Sequence, residues 1–154
     1  GREGRRVETG ANTYAPTPFV SRPRAGLIVG KNDVLSAIDD PDTVIINALA
    51  PELHSGERIQ YGRPGHIKGS VNVPARSLLE DETFAFKPAT ELMAAFAPTG
   101  ALAAKKVVTY CGGGISAITD LFALVLLGHD GVLLYDASMT EWGPDESLPM
   151  ETGD

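Results

Sequence analysis

A chain of 154 residues with one cysteine and one tryptophan lacks several common devices. One cysteine excludes an internal disulfide framework and a multi-cysteine metal site. No apolar run approaches the length of a membrane span, and no secretory signal pattern is visible. Positive charge is scarce. Thirteen Lys and Arg against 20 Asp and Glu leave a net charge of −7, which argues against a general affinity for nucleic acid or an anionic membrane. A reducing, cytoplasmic setting fits the cysteine usage. The rest is ordinary for a globular chain: 43% hydrophobic, 21% charged, and long enough for one buried core.

The basic residues are unevenly spread. Arg2, Arg5, Arg6, Arg22 and Arg24 place five of the 13 in the first 24 positions. Residues 1–25 are rich in Arg, Pro, Gly and Thr without sustained periodicity, so they read as a solvated linker rather than a basic arm. Residues 26–154 read as one domain. Short strands are expected at 27–29, 43–49, 71–73, 106–110 and 132–135. Helices are expected from an Asn32 N-cap through Ile38, at 88–96, at 116–127 closed by Gly128, and as a turn at 138–142. Strands alternating with helices imply parallel βαβ units. Near-continuous apolar strands imply a sheet covered on both faces. The fold class is therefore α/β, with a central parallel sheet of about five strands and helices on both faces.

One repeat stands out. Arg6-Val7-Glu8-Thr9-Gly10 is echoed by Pro149-Met150-Glu151-Thr152-Gly153, about one domain length later. Either the match is chance, or the chain opens with the tail of a preceding, similar domain.

The chemistry concentrates at Val107-Val108-Thr109-Tyr110-Cys111-Gly112-Gly113-Gly114-Ile115-Ser116-Ala117. A β-branched strand hands the only cysteine to a glycine loop that opens a helix. Glycines let successive N–H groups converge on one point, and the helix N-terminus adds its positive dipole end. Four readings compete. A buried structural cysteine is the plainest, but it needs no flexible neighbours. Dinucleotide binding finds Gly112-x-Gly114-x-x-Ala117, with Asp136 ending the next strand, yet only one strand follows the loop. A cysteine phosphatase needs an arginine to clamp phosphate; Ala117 stands there, and no arginine follows Cys111. Sulfur transfer remains. A thiolate holds an outer sulfur as a persulfide, and converging N–H groups stabilise that anion.

The residues then carry a resemblance. Gly65-His66-Ile67-Lys68-Gly69-Ser70-Val71-Asn72-Val73-Pro74 is similar to the Gly-His-Ile-x-Gly-Ala/Ser-x-Asn-Ile/Val-Pro signature of the rhodanese (sulfurtransferase) family. Cys111 to Ser116 has the span of that family's persulfide loop. Tyr135-Asp136-Ala137-Ser138 and Glu141-Trp142-Gly143 resemble the end of the catalytic domain in its two-domain members. The resemblance covers nearly the whole chain. It implies a rhodanese-like fold and a Cys111 persulfide cradled by Gly112, Gly113, Gly114, Ile115 and Ser116. It also implies a small-molecule sulfur donor, thiosulfate or 3-mercaptopyruvate, and a thiol or cyanide acceptor. No metal or organic cofactor is called for. The glycine loop looks more like the mercaptopyruvate enzymes (Cys-Gly-Ser-Gly-Val-Thr) than the thiosulfate ones. The Glu-Thr-Gly repeat then reads as the tails of two tandem domains, with the second held here.

Three departures stand against it. The family's Asp-x-Arg at a strand end is Asn47-Ala48-Leu49, a loop serine is Gly113, and a tryptophan is Met139. With that arginine missing, Arg58 and Arg63 are the candidates to grip an anionic donor, or else they are solvated surface cations. The missing grip also keeps open a non-catalytic binding module or a partner-specific sulfur carrier. His66 is expected to be a structural hydrogen-bonder, His54 to face the site mouth, and His129 to lie at a helix end. Trp142 is expected to pack, Asp136 and Glu141 to serve turns and caps, and Asn72 to tie down the loop after its own strand.

Overall fold

The computed structural model describes residues 3–22 and 25–153. Of the basic cluster, Arg2 and Arg24 lie outside the described residues. Residues 3–22 are exposed throughout and carry no helix or strand.

The strands are β1 (Ile28–Val29), β2 (Thr43–Asn47), β3 (His66–Ile67), β4 (Val71–Asn72), β5 (Lys106–Tyr110), β6 (Val132–Tyr135) and β7 (Met150–Glu151). The helices are α1 (Lys31–Ile38), α2 (Pro51–His54), α3 (Ala89–Phe96), α4 (Ile115–Leu126) and α5 (Ser138–Trp142). Five strands form one sheet in the order β1-β6-β5-β2-β4, with every pair parallel. β3 and β7 make a separate antiparallel pair.

Alternation along the strands explains the two faces. Ile45 and Val108 point to one side and pack with Val34 and Ala37 of α1 and Met139 and Trp142 of α5. Ile46, Val107 and Val132 point to the other and pack with Leu92 and Phe96 of α3 and Ala123 and Leu124 of α4. The sheet is thus buried on both faces, as its apolar strands require.

Periodicity located the five strands of the main sheet and missed α2 and the small β3–β7 pair. β5, β6 and α5 fall where expected, whereas the two-residue β3 and β7 are below any periodic signal. The N-cap of α1 is Gly30, not Asn32. The extended Gly30 backbone lets the Asp33 carboxylate accept its N–H at 2.9 Å, so the helix starts earlier and Asn32 lies in its first turn. α4 ends as Gly128 foretells. Gly128 has φ +88°, its N–H donates to the Val125 carbonyl, and the His129 N–H donates to that of Leu124.

One group breaks the apolar logic. Asp120, in the middle of α4, is fully buried, and neither carboxylate oxygen has a hydrogen-bond partner among the described residues. Burial pushes its carboxyl well above the usual carboxylate range.

Candidate active site

Cys111 follows the last residue of β5, at the carboxyl end of the parallel sheet, where loops of such sheets collect ligands. The backbone after it is fixed by the start of α5. The Cys111 N–H donates to Ser138 Oγ (3.1 Å), and the Cys111 carbonyl accepts the Met139 N–H (3.1 Å). The Gly112 carbonyl accepts both the Thr140 N–H (2.9 Å) and Thr140 Oγ1–H (2.6 Å). With the carbonyls pulled toward α5, the N–H groups are left for the other side. Among the described residues, the N–H groups of Gly112, Gly113, Gly114, Ile115 and Ser116 meet no acceptor within the chain. They form an arc of free donors after the sulfur, at the N-terminus of a 12-residue helix.

Two of the glycines are required by their surroundings. Gly114 has φ +84°, and a Cβ there would collide with the Asp136 carboxylate. Gly112 lies under the Tyr61 hydroxyl, which occupies the space a Cβ would need. Ser138 itself has φ +52°, a left-handed conformation that costs a non-glycine residue about 1–2 kcal/mol. Its Oγ–H donates to the Tyr135 carbonyl at 2.7 Å while the same oxygen accepts from Cys111, so the strain holds the loop.

Four of these five residues border a pocket of about 280 Å³ lined by Leu49, Tyr61, Cys111, Gly112, Gly113, Ile115 and Ser116. Cys111 is at its base, 2% exposed. Among the described residues, no charged side chain lines it. A hollow of about 470 Å³ around His129 lies beyond the far end of α4, but it carries no thiol.

The two arginines do not line this pocket. Arg63 is held by backbone carbonyls: Nε–H donates to Gly143 (2.8 Å), Nη1 to Leu148 (3.0 Å), and Nη2 to Trp142 (3.1 Å) and Asp145 (2.7 Å). It staples the segment after α5, and four of its five N–H donors are taken. Arg58 is half-exposed and pairs with Glu52 at 3.4 Å. The expectation that they replace the absent grip therefore finds no geometric support. Leu49 occupies the wall instead.

The histidines form a neighbouring knot. His54 is buried and lines a hollow with His66, Ser70, Asn72 and Glu151 rather than the cysteine pocket, against expectation. The cause is Asn47. Its Nδ2 meets His54 Nδ1 at 3.2 Å, and its Oδ1 accepts the Leu49 N–H at 2.9 Å, which draws α2 onto the end of β2. His66 is structural, as foreseen. Its Nδ1 lies 2.8 Å from the His54 carbonyl and must carry the proton, and the two rings stack at 3.7 Å. Asn72 ties down the turn after β2 rather than its own, donating to the Asn47 (2.8 Å) and Leu49 (2.9 Å) carbonyls. Glu141 is not a cap; it accepts the Tyr135 hydroxyl at 2.6 Å. His129 lies past the end of α4, and Trp142 is fully buried with its Nε1–H on the Pro149 carbonyl.

Sequence reasoning missed Tyr61, Ser138 and Thr140. The signal for the last two was present, since hydroxyl residues at alternate positions opening a helix, next to a loop with spare carbonyls, are capping chemistry. Tyr61 gave none. Among the described residues, no group of three or more His, Cys, Asp or Glu side chains is arranged to hold a metal ion. No helix there is long and apolar enough to cross a membrane.

The family model described as "Rhodanese-like domain" matches residues 31–145. A putative thiosulfate sulfurtransferase of Mycobacterium tuberculosis is 33% identical over 162 residues, covering 98% of this chain and 57% of that protein. The 3-mercaptopyruvate sulfurtransferase of Escherichia coli is 32% identical over 149 residues, covering 94% and 52%. The crystal structure of SseA from Escherichia coli, described as a 3-mercaptopyruvate sulfotransferase, superposes with a TM-score of 0.75 at 30% identity, covering 89% of this chain and 51% of that one. The chain spans about half the length of the curated relatives it matches.

Proposed function

This chain belongs to the rhodanese-like domain family, and from that premise we propose that it is a sulfurtransferase domain that carries sulfur as a Cys111 persulfide. The observation that carries the proposal is the arc of unpartnered N–H groups from Gly112 to Ser116 around a cysteine at the base of a pocket. Such donors stabilise an anion without an acid–base partner, and a terminal persulfide sulfur is an anion. The Ser116 hydroxyl, on the pocket wall, adds a further donor.

The transfer takes two displacements. The Cys111 thiolate attacks the outer sulfur of a donor, forming the S–S bond of the persulfide. From thiosulfate, the old S–S bond breaks and sulfite leaves with the electron pair. From 3-mercaptopyruvate, the C–S bond breaks and the enolate of pyruvate leaves, then takes a proton. A thiolate or cyanide next attacks the terminal sulfur, and Cys111 leaves as thiolate. The cycle needs no external oxidant or reductant.

Thiosulfate and 3-mercaptopyruvate are the donors proposed, with a small thiol or cyanide as acceptor. A preceding rhodanese-like domain of the same polypeptide is part of the proposal, with residues 1–25 as its linker and a cytoplasmic setting. A second reading has one observation in its favour. The pocket holds Leu49 and no cation, which suits a carrier loaded and unloaded by a partner better than a domain that captures a free dianion. Thiocyanate formation from cyanide with each donor, in the wild type and Cys111→Ser, separates the two. Turnover that vanishes in the variant supports the enzyme. No turnover from either donor, in folded protein that still accepts sulfur from another persulfide, supports the carrier.

A further inference from the structure

The stacked histidines border a hollow of about 440 Å³ that the cysteine chemistry does not use. It adjoins the turn after β2. Asn72, which lines it, donates to the Asn47 and Leu49 carbonyls, and Leu49 walls the cysteine pocket.

Three acceptors border this hollow. The first is His66 Nε2. His66 Nδ1 donates to the His54 carbonyl, so the lone pair of the neutral ring lies on Nε2. His66 is 4% exposed, yet Nε2 meets no hydrogen-bond partner among the described residues. Glu151 Oε2 stands 4.0 Å away, beyond bonding reach. Stacking on His54 at 3.7 Å, with the planes 9° apart, fixes the direction of Nε2. The second acceptor is the Glu151 carboxylate, which takes the Gly69 N–H at 3.0 Å and is held there by β7. The third is Asn72 Oδ1. Both of its Nδ2 protons are used on carbonyls, and no donor among the described residues reaches its oxygen.

The hollow has a negative group and no positive one. No Lys or Arg among the described residues lines it, and Lys68, in the same turn as His66, is not part of the wall. Two acceptors 4.0 Å apart leave room for one small donor, since a nitrogen about 2.9 Å from each completes both bonds. A carboxylate on one side favours a charged donor over water. Ammonium offers three N–H groups to three acceptors, and Pro51 and Val71 supply apolar wall for a short alkyl chain.

We propose that this hollow is a binding site for an alkylammonium group, held by His66 Nε2, the Glu151 carboxylate and Asn72 Oδ1. The site is separate from sulfur transfer, because neither Cys111 nor its glycine loop lines it. It gives the Gly65–Gly69 turn and β7 a ligand to hold besides each other. A free amine and the lysine side chain of a partner present the same chemistry.

The test follows imidazole NMR resonances of the 154-residue chain at neutral pH. The chain has three histidines, and His129 serves as the internal control. The probes are n-butylammonium, 1-butanol as its uncharged counterpart, and Nα-acetyl-lysine amide. Expected is a saturable shift at His66 with n-butylammonium and none with 1-butanol, unchanged in Cys111→Ser. Glu151→Gln keeps an oxygen for the Gly69 N–H and removes the charge, so affinity should fall roughly ten-fold or more. If that variant does not fold, the charged and uncharged probes decide on the wild type alone. Tighter binding of Nα-acetyl-lysine amide than of n-butylammonium assigns the group to a partner's lysine; equal or weaker binding assigns it to a free amine. A His66 resonance that n-butylammonium leaves unmoved, or moves only together with His129, overturns the proposal. So does saturation by 1-butanol at the same concentration, which reduces the hollow to an apolar groove.

Discussion

Two loops leave the carboxyl ends of neighbouring strands and treat their polar groups in opposite ways. After β2, every buried side-chain polar atom among the described residues is satisfied. Asn47 bonds His54 and Leu49, Asn72 takes two carbonyls, His66 reaches the His54 carbonyl, and the buried Tyr110 hydroxyl accepts the Ile67 N–H and shares a 2.8 Å bond with Ser70. After β5, the Cys111 N–H and the Cys111 and Gly112 carbonyls are satisfied, and among the described residues the five successive N–H groups from Gly112 to Ser116 are left over. Buried polar groups are normally paired, so a closed network reads as structure, and a row of free donors facing a pocket reads as a place for an anion. Glycine and serine mark both loops in the sequence. The hydrogen-bond inventory tells them apart.

The sharpest way to break the contrast is to spoil the donor arc without touching the sulfur. Gly114→Ala puts a Cβ into the Asp136 carboxylate at a left-handed φ, so the loop must shift. Loss of a positioned anion donor typically costs about 100-fold or more in turnover. We expect that loss in steady-state thiocyanate formation, with Cys111 still alkylated by iodoacetamide. An unimpaired Gly114→Ala enzyme would mean that the arc is incidental.

The closed side is tested by Arg63→Met, which removes four bonds to backbone carbonyls and leaves those acceptors unpaired. The expected cost is roughly 2–3 kcal/mol in urea unfolding, with KM for the donor unchanged. Arg58→Ala, by contrast, should shift stability by about 0.5 kcal/mol or less, as befits an exposed ion pair. A raised KM in Arg63→Met would restore it as a substrate grip.

Asp120 belongs to neither class, being a buried acid with no hydrogen-bond partner among the described residues. Because its carboxyl is raised in the folded state, the folded protein holds a proton there that the unfolded chain has lost above the ordinary carboxylate value. Stability is therefore fullest below that value and falls as pH rises toward the raised one. Asp120→Asn should flatten this slope in melting curves between acid and neutral pH. Asp120→Leu should add about 1–3 kcal/mol at neutral pH by removing an unsatisfied group. A steeper slope in Asp120→Asn would contradict the assignment.

One expected effect is a gain. Leu49→Arg places a cation on the pocket wall, and kcat/KM for thiosulfate should rise about five-fold or more by Coulomb attraction. No rise would show that charge at this wall does not limit capture.

How much of this was legible depended on the length scale of the signal. The β5–Cys111–α4 unit could be read because a strand, a nucleophile, three glycines and an apolar helix are consecutive, and local geometry follows from local sequence. The staple by Arg63 could not, because its partners lie about 80 positions away and are backbone carbonyls, which any residue supplies. His54 was misplaced because its position is set by Asn47, through a contact that no periodicity encodes. The burial of Asp120 was hidden for a related reason. A carboxylate in an apolar helix is normally assigned to the solvent face, and here that face is Ile, Phe, Val and Leu.

The central claim is that the free donors after β5 hold a sulfur anion on Cys111. Intact mass spectrometry tests it most directly, before and after incubation with thiosulfate or 3-mercaptopyruvate, with Cys111→Ser as control. The account predicts the gain of one sulfur atom in the wild type only, mapped to Cys111 and removed by cyanide. Folded protein that gains no sulfur from either donor, or gains it equally in Cys111→Ser, would contradict it.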